Sequence, residues 1–187
     1  MNRCDQATFT ASAVMIGAVA LILILLVASI PKVPVTQTGA SAQLVEYCFS
    51  PGGNCADVIV RWVDHANVSL HVLIYSFALD SLGDAVIRAK NRGLSVQVVI
   101  EKDNRNIKGS EWSRLKENGV DIRLDGNSAD MHDKIAIIDS IIVITGSFNW
   151  SQNANERNNE NLVVLRDQSW AQAFESQFTA IWNKASA

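Results

Sequence analysis

The sequence has few histidines and cysteines and no excess of positive charge. Its 187 residues include three histidines, three cysteines and 16 lysines and arginines against 19 acidic residues, which gives a net charge of −3 at pH 7. A net negative charge excludes a general attraction of the whole surface to nucleic acid. Any site for a polyanion therefore has to be a local basic patch.

A long uncharged stretch lies near the N-terminus. No residue from Gln6 to Pro31 is charged, and Ala11–Ile30 consists of apolar or small residues. At about 1.5 Å rise per residue, a helix of this length crosses the roughly 30 Å hydrocarbon core of a bilayer. We expect a tail at 1–10, a transmembrane anchor at 11–31, a linker at 32–43 and a catalytic domain at 44–187. A cleaved signal peptide is the alternative, with Ala40-Ser41-Ala42 as the cleavage site.

The small number of cysteines leaves little room for a metal site. A zinc site would need ligands besides Cys48 and Cys55, and neither His65 nor His71 has the spacing of a zinc finger. Cys48 and Cys55 flank the turn FSPGGN, which favours a disulfide, with free buried thiols as the alternative. A disulfide is typical of an oxidising compartment. We therefore expect the anchored domain to lie outside the cytoplasm, periplasmic or extracellular, or to be secreted after cleavage.

After the linker, strand and helix patterns alternate. The patterns indicate strands at Val68–Phe77, Ser95–Ile100, Val120–Leu124 and Asn161–Leu165, and a hairpin of Lys134–Ile138 with Ile141–Thr145. They indicate helices at Ala56–His65, from an N-cap at Asp80, at Ser110–Asn118 and at Trp170–Trp182. This alternation predicts an α/β domain in which helices flank both faces of the β-sheet. The hairpin makes the sheet a mixed one.

Polar residues around the predicted hairpin point to phosphate chemistry. His132 and Lys134 are two residues apart, so in an extended chain their side chains lie on the same face. An imidazole beside a fixed ammonium suits attack on, or proton transfer to, an anionic phosphate. Ser147 and Asn149 have the same spacing and are expected to hydrogen-bond the phosphate. Glu160 is expected to accept a proton from the other ring nitrogen of His132.

The complete string is more specific than its parts. From His132 to Asn149 the sequence reads H-x-K-x4-D-x6-G-S-x-N, and Asp139 is the third specified residue. This string resembles the HKD motif of the phospholipase D superfamily, and Glu160 within NNEN matches the acidic residue that follows it there. With CFSP near Cys48 and YSF from Tyr75, the resemblance covers roughly residues 44–185. It is closest in pattern to small single-motif members, the bacterial endonuclease Nuc and mitochondrial Zucchini-like proteins.

The resemblance implies a two-step hydrolysis of a phosphodiester without a metal ion or other cofactor. One histidine attacks phosphorus to form a phosphohistidine, a second protonates the leaving oxygen, and water completes the reaction. The motif occurs once here, since His65 has no lysine two residues later and His71 is followed by Val72 and Leu73. A homodimer is therefore expected to bring two copies of His132 to one cleft. Asp139 is counted with His132, Lys134, Ser147, Asn149 and Glu160 in the catalytic group as a position of the motif, although its place predicts that it holds the hairpin turn.

Three functions remain open at this point. The first is an endonuclease that acts on DNA or RNA, with Lys102, Arg105 and Lys108 of a polar loop as substrate-binding residues. The second is a phospholipase D that uses the N-terminal anchor to reach cardiolipin or other phospholipids. The third is a module that binds phosphate or nucleic acid without catalysis. The motif favours an enzyme, but it does not separate the first two functions.

Overall fold

The computed structural model describes residues 42–187, so the predicted tail, the anchor and most of the linker lie outside the described part of the chain. Gln43, expected to end the linker, is the first residue of a strand. Between residues 42 and 187, no helix has both the length and the apolar composition that a membrane crossing requires. The anchor therefore stays a prediction from the sequence.

The described residues form nine strands and five α-helices. The strands are β1 (Gln43–Ser50), β2 (Ser69–Ile74), β3 (Phe77–Ala78), β4 (Ser95–Ile100), β5 (Asp121–Leu124), β6 (Lys134–Ile138), β7 (Ile142–Gly146), β8 (Trp150–Ser151) and β9 (Glu160–Arg166). The helices are α1 (Cys55–Asp64), α2 (Asp80–Asn91), α3 (Trp112–Glu117), α4 (Gln152–Glu156) and α5 (Gln168–Trp182). A 3₁₀ turn covers Lys102–Asn104.

Seven strands form one mixed sheet in the order β1-β9-β7-β6-β2-β4-β5, and β3 pairs with β8 separately. β2, β4 and β5 are parallel because α2 and α3 return the chain between them. β6, β7, β9 and β1 pair in antiparallel fashion. The β6–β7 hairpin turns at Asp139 and Ser140, whose φ angles of 53° and 52° are the left-handed values of a tight turn. This topology brings the ends of β2, β4 and β7 and the start of β6 to one edge.

Helices cover both faces of the sheet, which confirms the predicted α/β architecture. On one face, α1, α2 and α3 bury Ile59, Leu82 and Leu115 against the sheet. On the other face, α5 packs Phe178 and Trp182 against side chains of β2, β4, β6 and β7. Full burial of each such side chain contributes about 1.5–3 kcal/mol relative to exposure. The two cores fix the sheet edge that carries the polar residues of the motif.

Several local predictions differ from the structure. The strand predicted at Val68–Phe77 ends at Ile74, and β3 begins separately at Phe77. Asp80 is not the N-cap of α2 but its first residue, since the cap position is Leu79 and has no side-chain hydrogen bond. Neither β1 nor α4 was predicted. β1 (QLVEYCFS) does not alternate polar and apolar residues and follows a linker, so its sequence gives a weak strand pattern.

β1 is an edge strand of the seven-stranded sheet, here called the outer strand, and it pairs with β9. A disulfide joins Cys48 of β1 to Cys55, the first residue of α1, with their Cα atoms 5.6 Å apart. Leu44, Tyr47 and Phe49 of the same strand are largely exposed. The outer strand is therefore linked covalently to the neighbouring helix while one of its faces remains open.

Gly83 lies in α2 against the buried carboxyl group of Glu111. A Cβ atom at residue 83 would lie 2.0 Å from Oε2 of Glu111, which accepts a hydrogen bond from Arg114 at 2.7 Å. Alanine usually stabilises a helix by up to about 1 kcal/mol relative to glycine. Here we expect Gly83→Ala to lower the free energy of unfolding by about 1–3 kcal/mol, because the buried carboxyl has to move.

Urea denaturation measures this difference. Ser81→Ala, at an exposed position of the same helix, serves as the control and should change the free energy of unfolding by less than about 0.5 kcal/mol. A Gly83→Ala protein more stable than the wild type would show that Glu111 does not constrain this position.

Candidate active site

His132 and Lys134 lie side by side at the sheet edge where β6 begins. His132 precedes the strand and is exposed, whereas Lys134 is its first residue and is only 8% exposed. Nζ of Lys134 lies 3.0 Å from Nδ1 of His132 and donates a hydrogen bond to the carbonyl oxygen of His132 at 2.7 Å. The structure thus brings together the two side chains that the spacing placed on one face.

Two residues without a predicted role position this pair. The ring of Tyr75 lies 4.5 Å from that of His132 between centroids, and Nζ of Lys134 lies 4.9 Å from the Tyr75 centroid. The fully buried carboxyl group of Glu101 accepts a hydrogen bond from the backbone N–H of Met131 at 2.6 Å. Tyr75 and Glu101 each follow directly after a buried strand, and this was the signal that could have identified them.

Ser147 and Asn149 follow β7 at the same edge, with Glu160 opposite at the start of β9. The hydroxyl of Ser147 donates to Glu160 at 2.5 Å and accepts from the backbone N–H of Asn161 at 3.1 Å. Oδ1 of Asn149 accepts from the backbone N–H of Ser76 at 3.3 Å. The Ser147 hydroxyl therefore has to turn away from Glu160 before it can donate to a phosphate.

The predicted hydrogen bond between Glu160 and His132 is not formed. The carboxylate of Glu160 accepts instead from Ser147 and from the side-chain amide of Asn158 at 3.0 Å, while Nδ1 of His132 faces Lys134. The reason is the strand order, because β7 separates β9 from β6. Glu160 nevertheless acts electrostatically on Lys134.

Asp139 lies at the opposite end of the hairpin from His132, so it is not part of the catalytic group. At about 3.3 Å per strand residue, the five residues of β6 alone separate the two ends by roughly 16 Å. Oδ1 of Asp139 accepts from the backbone N–H groups of Val68 at 2.8 Å and Ser69 at 2.9 Å, and Oδ2 accepts from that of Asn67 at 3.0 Å. Asp139 therefore holds the turn against the start of β2.

A cleft of about 780 Å³ opens beside His132. Its lining is mostly polar and consists of Asp125, Gly126, Asn127, Ser128, Asp130, Met131, His132, Asp133, Gln177, Ile181 and Lys184. Lys102 donates to the carbonyl oxygen of Asn127 at 2.9 Å and so adjoins the cleft. Arg105 instead lies over the ring of Trp112, 5.2 Å from its centroid, and Lys108 is exposed. Of the three basic loop residues, Lys102 is the one placed beside the cleft.

Carboxylates also gather near this cleft. In residues 42–187, Glu101, Asp103 and Asp130 bring ligand oxygens within 4.8 Å of one another. Burial acts to raise the pKa of Glu101, but hydrogen bonds from the N–H groups of Met131 and Asp103 and from Lys102 hold it below its ordinary value. Because Glu101 already has these donors, the group gives no independent indication of a metal ion.

The ammonium of Lys134 is easier to deprotonate than that of an ordinary lysine. Burial lowers the pKa of Lys134, although the carboxylates of Asp133 and Glu160 act in the opposite direction. If the charged form binds phosphate, activity will fall as the pH rises through this lowered pKa, below the usual 10.5. We expect Lys134→Arg to remove this alkaline decrease, since arginine stays charged, while lowering kcat about 10- to 100-fold through its different shape.

The measurement is the dependence of kcat on pH between 6 and about 11, a range set by the ordinary lysine pKa. Lys108→Arg, at an exposed lysine of the nearby loop, is the matched control and should leave the profile unchanged. An alkaline decrease that persists in Lys134→Arg would assign it to another group.

The chain is similar to known proteins in sequence and in fold. The model of a family described as "Cardiolipin synthase, PLD-like domain" matches residues 59–182. The mitochondrial cardiolipin hydrolase of Chlamydomonas reinhardtii is 31% identical over 148 residues, covering 78% of this chain and 64% of that protein. A phospholipase D of Rickettsia conorii is 32% identical over 134 residues, covering 72% of this chain and 67% of that protein.

Solved structures show the same fold. A phospholipase D family member, Nuc from Salmonella typhimurium, has a TM-score of 0.72 and 30% identity, covering 75% of this chain and 94% of that one. NucT from Helicobacter pylori has a TM-score of 0.67 and 27% identity, with 76% and 99% covered. The chain spans between about half and two thirds of the length of the cardiolipin hydrolases that it matches. On the family model, these relatives and the shared fold, the chain belongs to the phospholipase D superfamily.

Proposed function

We propose that the domain hydrolyses phosphodiester bonds without a metal ion, with His132 as the nucleophile. The observation that carries this proposal is the contact between an exposed imidazole and a largely buried ammonium at the mouth of a polar cleft. The ammonium of Lys134 neutralises phosphate oxygens while a ring nitrogen of His132 attacks phosphorus. Ser147, once its hydroxyl has turned away from Glu160, and the side-chain amide of Asn149 donate to the remaining oxygens.

The reaction proceeds in two displacements. A ring nitrogen of His132 bonds to phosphorus while the bond to the leaving oxygen breaks, and that oxygen takes a proton from a second histidine. Water then attacks phosphorus and gives a proton to the second histidine, and the P–N bond breaks. A charged lysine has only donors, so Nδ1 of His132 accepts from Lys134 in the described state. Binding of Lys134 to the phosphate oxygens releases this nitrogen.

The second histidine is proposed to come from another copy of the chain. Nδ1 of His71 lies 2.7 Å from a carboxylate oxygen of Glu175, and its ring stacks on Phe178, in the core beneath α5. Nδ1 of His65 lies 2.7 Å from the carbonyl oxygen of Arg61 at the end of α1. Neither ring lines the cleft beside His132. A symmetric homodimer that places two copies of His132 at one cleft supplies the missing acid.

A mixed dimer tests this arrangement. One subunit is wild type and the other carries His132→Asn with a distinct affinity tag, so that heterodimers are purified away from both homodimers. If each reaction needs both histidines, the heterodimer will have almost no activity, because its cleft holds a single histidine. A heterodimer with half the wild-type activity would show that each subunit works alone.

We propose nucleic acid as the substrate and a phospholipid as the second candidate. The cleft beside His132 is lined by amides, a hydroxyl, carboxylates and Lys184, which suits a hydrated sugar–phosphate chain. The carboxylates of Asp125, Asp130 and Asp133 repel a polyanion, so its affinity for the cleft is expected to be modest. Two observations favour a phospholipid: β1 has exposed apolar residues, and the chain is similar to proteins named as cardiolipin hydrolases. The Cys48–Cys55 disulfide supports a location outside the cytoplasm.

A product assay in EDTA tests the function and separates the substrates. The full chain in detergent receives labelled single-stranded nucleic acid and cardiolipin vesicles in parallel, with His132→Asn as the control. Cleavage of nucleic acid that is lost in the variant supports the nuclease, and release of phosphatidic acid supports the lipase. If the purified dimer binds a substrate but cleaves neither in EDTA, the third function, a binding module, takes precedence.

A further inference from the structure

An apolar strip covers the outer part of the sheet, on the face that α5 occupies. It consists of Leu44, Tyr47 and Phe49 of β1, which are 52%, 62% and 62% exposed, and of their neighbours on β9. Strand pairing places Leu44 opposite Leu165 and Tyr47 opposite Val163, so these side chains project from one face. The ring centroids of Tyr47 and Phe49 are 5.9 Å apart. The strip is therefore a continuous surface rather than a set of scattered residues.

The strip is open because α5 does not extend over it. α5 packs against β2, β6 and β7, and the core on its side of the sheet includes no residue of β1 or β9 among residues 42–187. The opposite sides of the same two strands, through Cys48, Leu162 and Val164, are buried in the other core. Contiguous exposed apolar surface on a folded domain marks an interaction site.

One end of the strip meets the candidate active site. Phe49 pairs with Asn161, whose side chain accepts from the backbone N–H of Ser147 at 2.9 Å and whose own N–H donates to the Ser147 hydroxyl at 3.1 Å. One strand pairing and two hydrogen bonds thus connect Phe49, whose ring is exposed, to Ser147, the predicted phosphate ligand. A surface that covers the strip would lie directly beside the sheet edge that carries His132.

The other end of the strip is joined to the most apolar part of the sequence. β1 begins at Gln43, and residues 31–42 alone separate it from the uncharged run Ala11–Ile30. Twelve residues reach about 40 Å at most, so a bilayer that contains this run is within reach of β1. Aromatic side chains such as those of Tyr47 and Phe49 are favoured where a bilayer meets water.

We propose that the apolar strip lies against the surface of a phospholipid bilayer and so holds the sheet edge that carries Ser147 near the lipid headgroups. The proposal concerns the position of the domain and does not depend on whether it cleaves lipid or nucleic acid. The strip combines large exposed side chains, a short connection to a predicted membrane segment and a link to Ser147 through Asn161. A bilayer fits all three properties.

The two tyrosines of the chain permit a direct test. The full chain is produced with 3-fluorotyrosine, reconstituted in phospholipid nanodiscs and studied by ¹⁹F NMR, with Tyr47→Phe to assign the signals. Tyr47 lies in the strip, whereas the half-buried Tyr75 lies beside His132. A nitroxide on the lipid headgroups is expected to broaden the Tyr47 signal several-fold relative to nanodiscs without the nitroxide. A gadolinium chelate in the water is expected to leave Tyr47 largely unaffected.

Paired variants provide the control. Leu44→Ser with Phe49→Ser should make Tyr47 accessible to the chelate, whereas Val68→Ser with Ile141→Ser, at exposed apolar residues outside the strip, should change nothing. If the chelate rather than the nitroxide broadens wild-type Tyr47, the strip faces water and the proposal fails. Protection of Tyr47 from both reagents would show a protein cover, such as a second copy, and would also overturn it. The wild-type measurement decides even if a variant does not fold.

Discussion

A His132→Asn protein is expected to turn over a phosphodiester substrate about 10⁴- to 10⁶-fold more slowly than the wild type. The asparagine side chain has no nitrogen that can form a bond to phosphorus, so no phosphohistidine forms. Direct attack by water would also have no histidine to accept its proton. The fold should survive, because His132 is exposed and precedes its strand. Its free energy of unfolding should change by less than about 0.5 kcal/mol.

The intermediate gives a second measurement of the same residue. Protein quenched in alkali during turnover of a ³²P-labelled substrate should retain label in the wild type and lose it in His132→Asn. His65→Asn, which replaces another exposed histidine, is the matched control and should keep both turnover and label. Label retained in His132→Asn would mean that another residue is the nucleophile.

Asp139→Ala is expected to lower the free energy of unfolding by about 2–4 kcal/mol without changing the chemistry at His132. The substitution leaves the backbone N–H groups of Asn67, Val68 and Ser69 without their charged acceptor. It also places an alanine at φ 53°, a conformation that costs about 1–2 kcal/mol. The corresponding decrease in Tm is about 10 °C for a domain of this size. The kcat of the folded fraction should equal that of the wild type.

Acid provides an independent check on Asp139. Burial acts to raise the pKa of Asp139, but the three backbone N–H groups hold it below the ordinary 3.8. A carboxyl group with a lowered pKa stabilises the fold above its unfolded pKa, and this contribution is lost as the pH falls through the folded pKa. The difference in stability between wild type and Asp139→Ala should therefore narrow below pH 3.8. The Asp139→Asn protein, which keeps one side-chain oxygen and tolerates positive φ, should lose less stability than Asp139→Ala. An equal loss in the two proteins would show that the negative charge of Asp139 is the decisive property.

The parts of the site that depend on short spacing were predictable. Residues two apart in an extended chain remain neighbours in almost any fold, so the contact of His132 with Lys134 follows from the sequence. The hairpin was predictable for the same reason, because Asp139 and Ser140 tolerate left-handed φ between two β-branched runs. These predictions rest on local geometry, which the rest of the chain does not alter.

The parts that depend on strand order were not predictable. Glu160 bonds to Ser147 rather than His132 because β7 lies between β9 and β6, and no spacing in the sequence records this order. β1 was missed because its burial comes from β9, far away in the chain. Glu101 was given no role, although the structure buries it completely and its carboxyl group accepts from the backbone N–H of Met131. In each case, the contact is determined by a strand or residue that is distant in the sequence.

The pairing of β1 with β9 also governs the order in which the domain is completed during synthesis. The ribosome makes β1 first among the described strands, yet its partner spans Glu160–Arg166. A nascent chain therefore carries an unpaired β1 until nearly the whole domain has emerged, and contacts of such long sequence separation form slowly. During that interval, the free strand edge and its apolar side chains can associate with neighbouring nascent chains. Chaperone demand for this domain should be greatest while β1 has emerged from the ribosome and β9 has not.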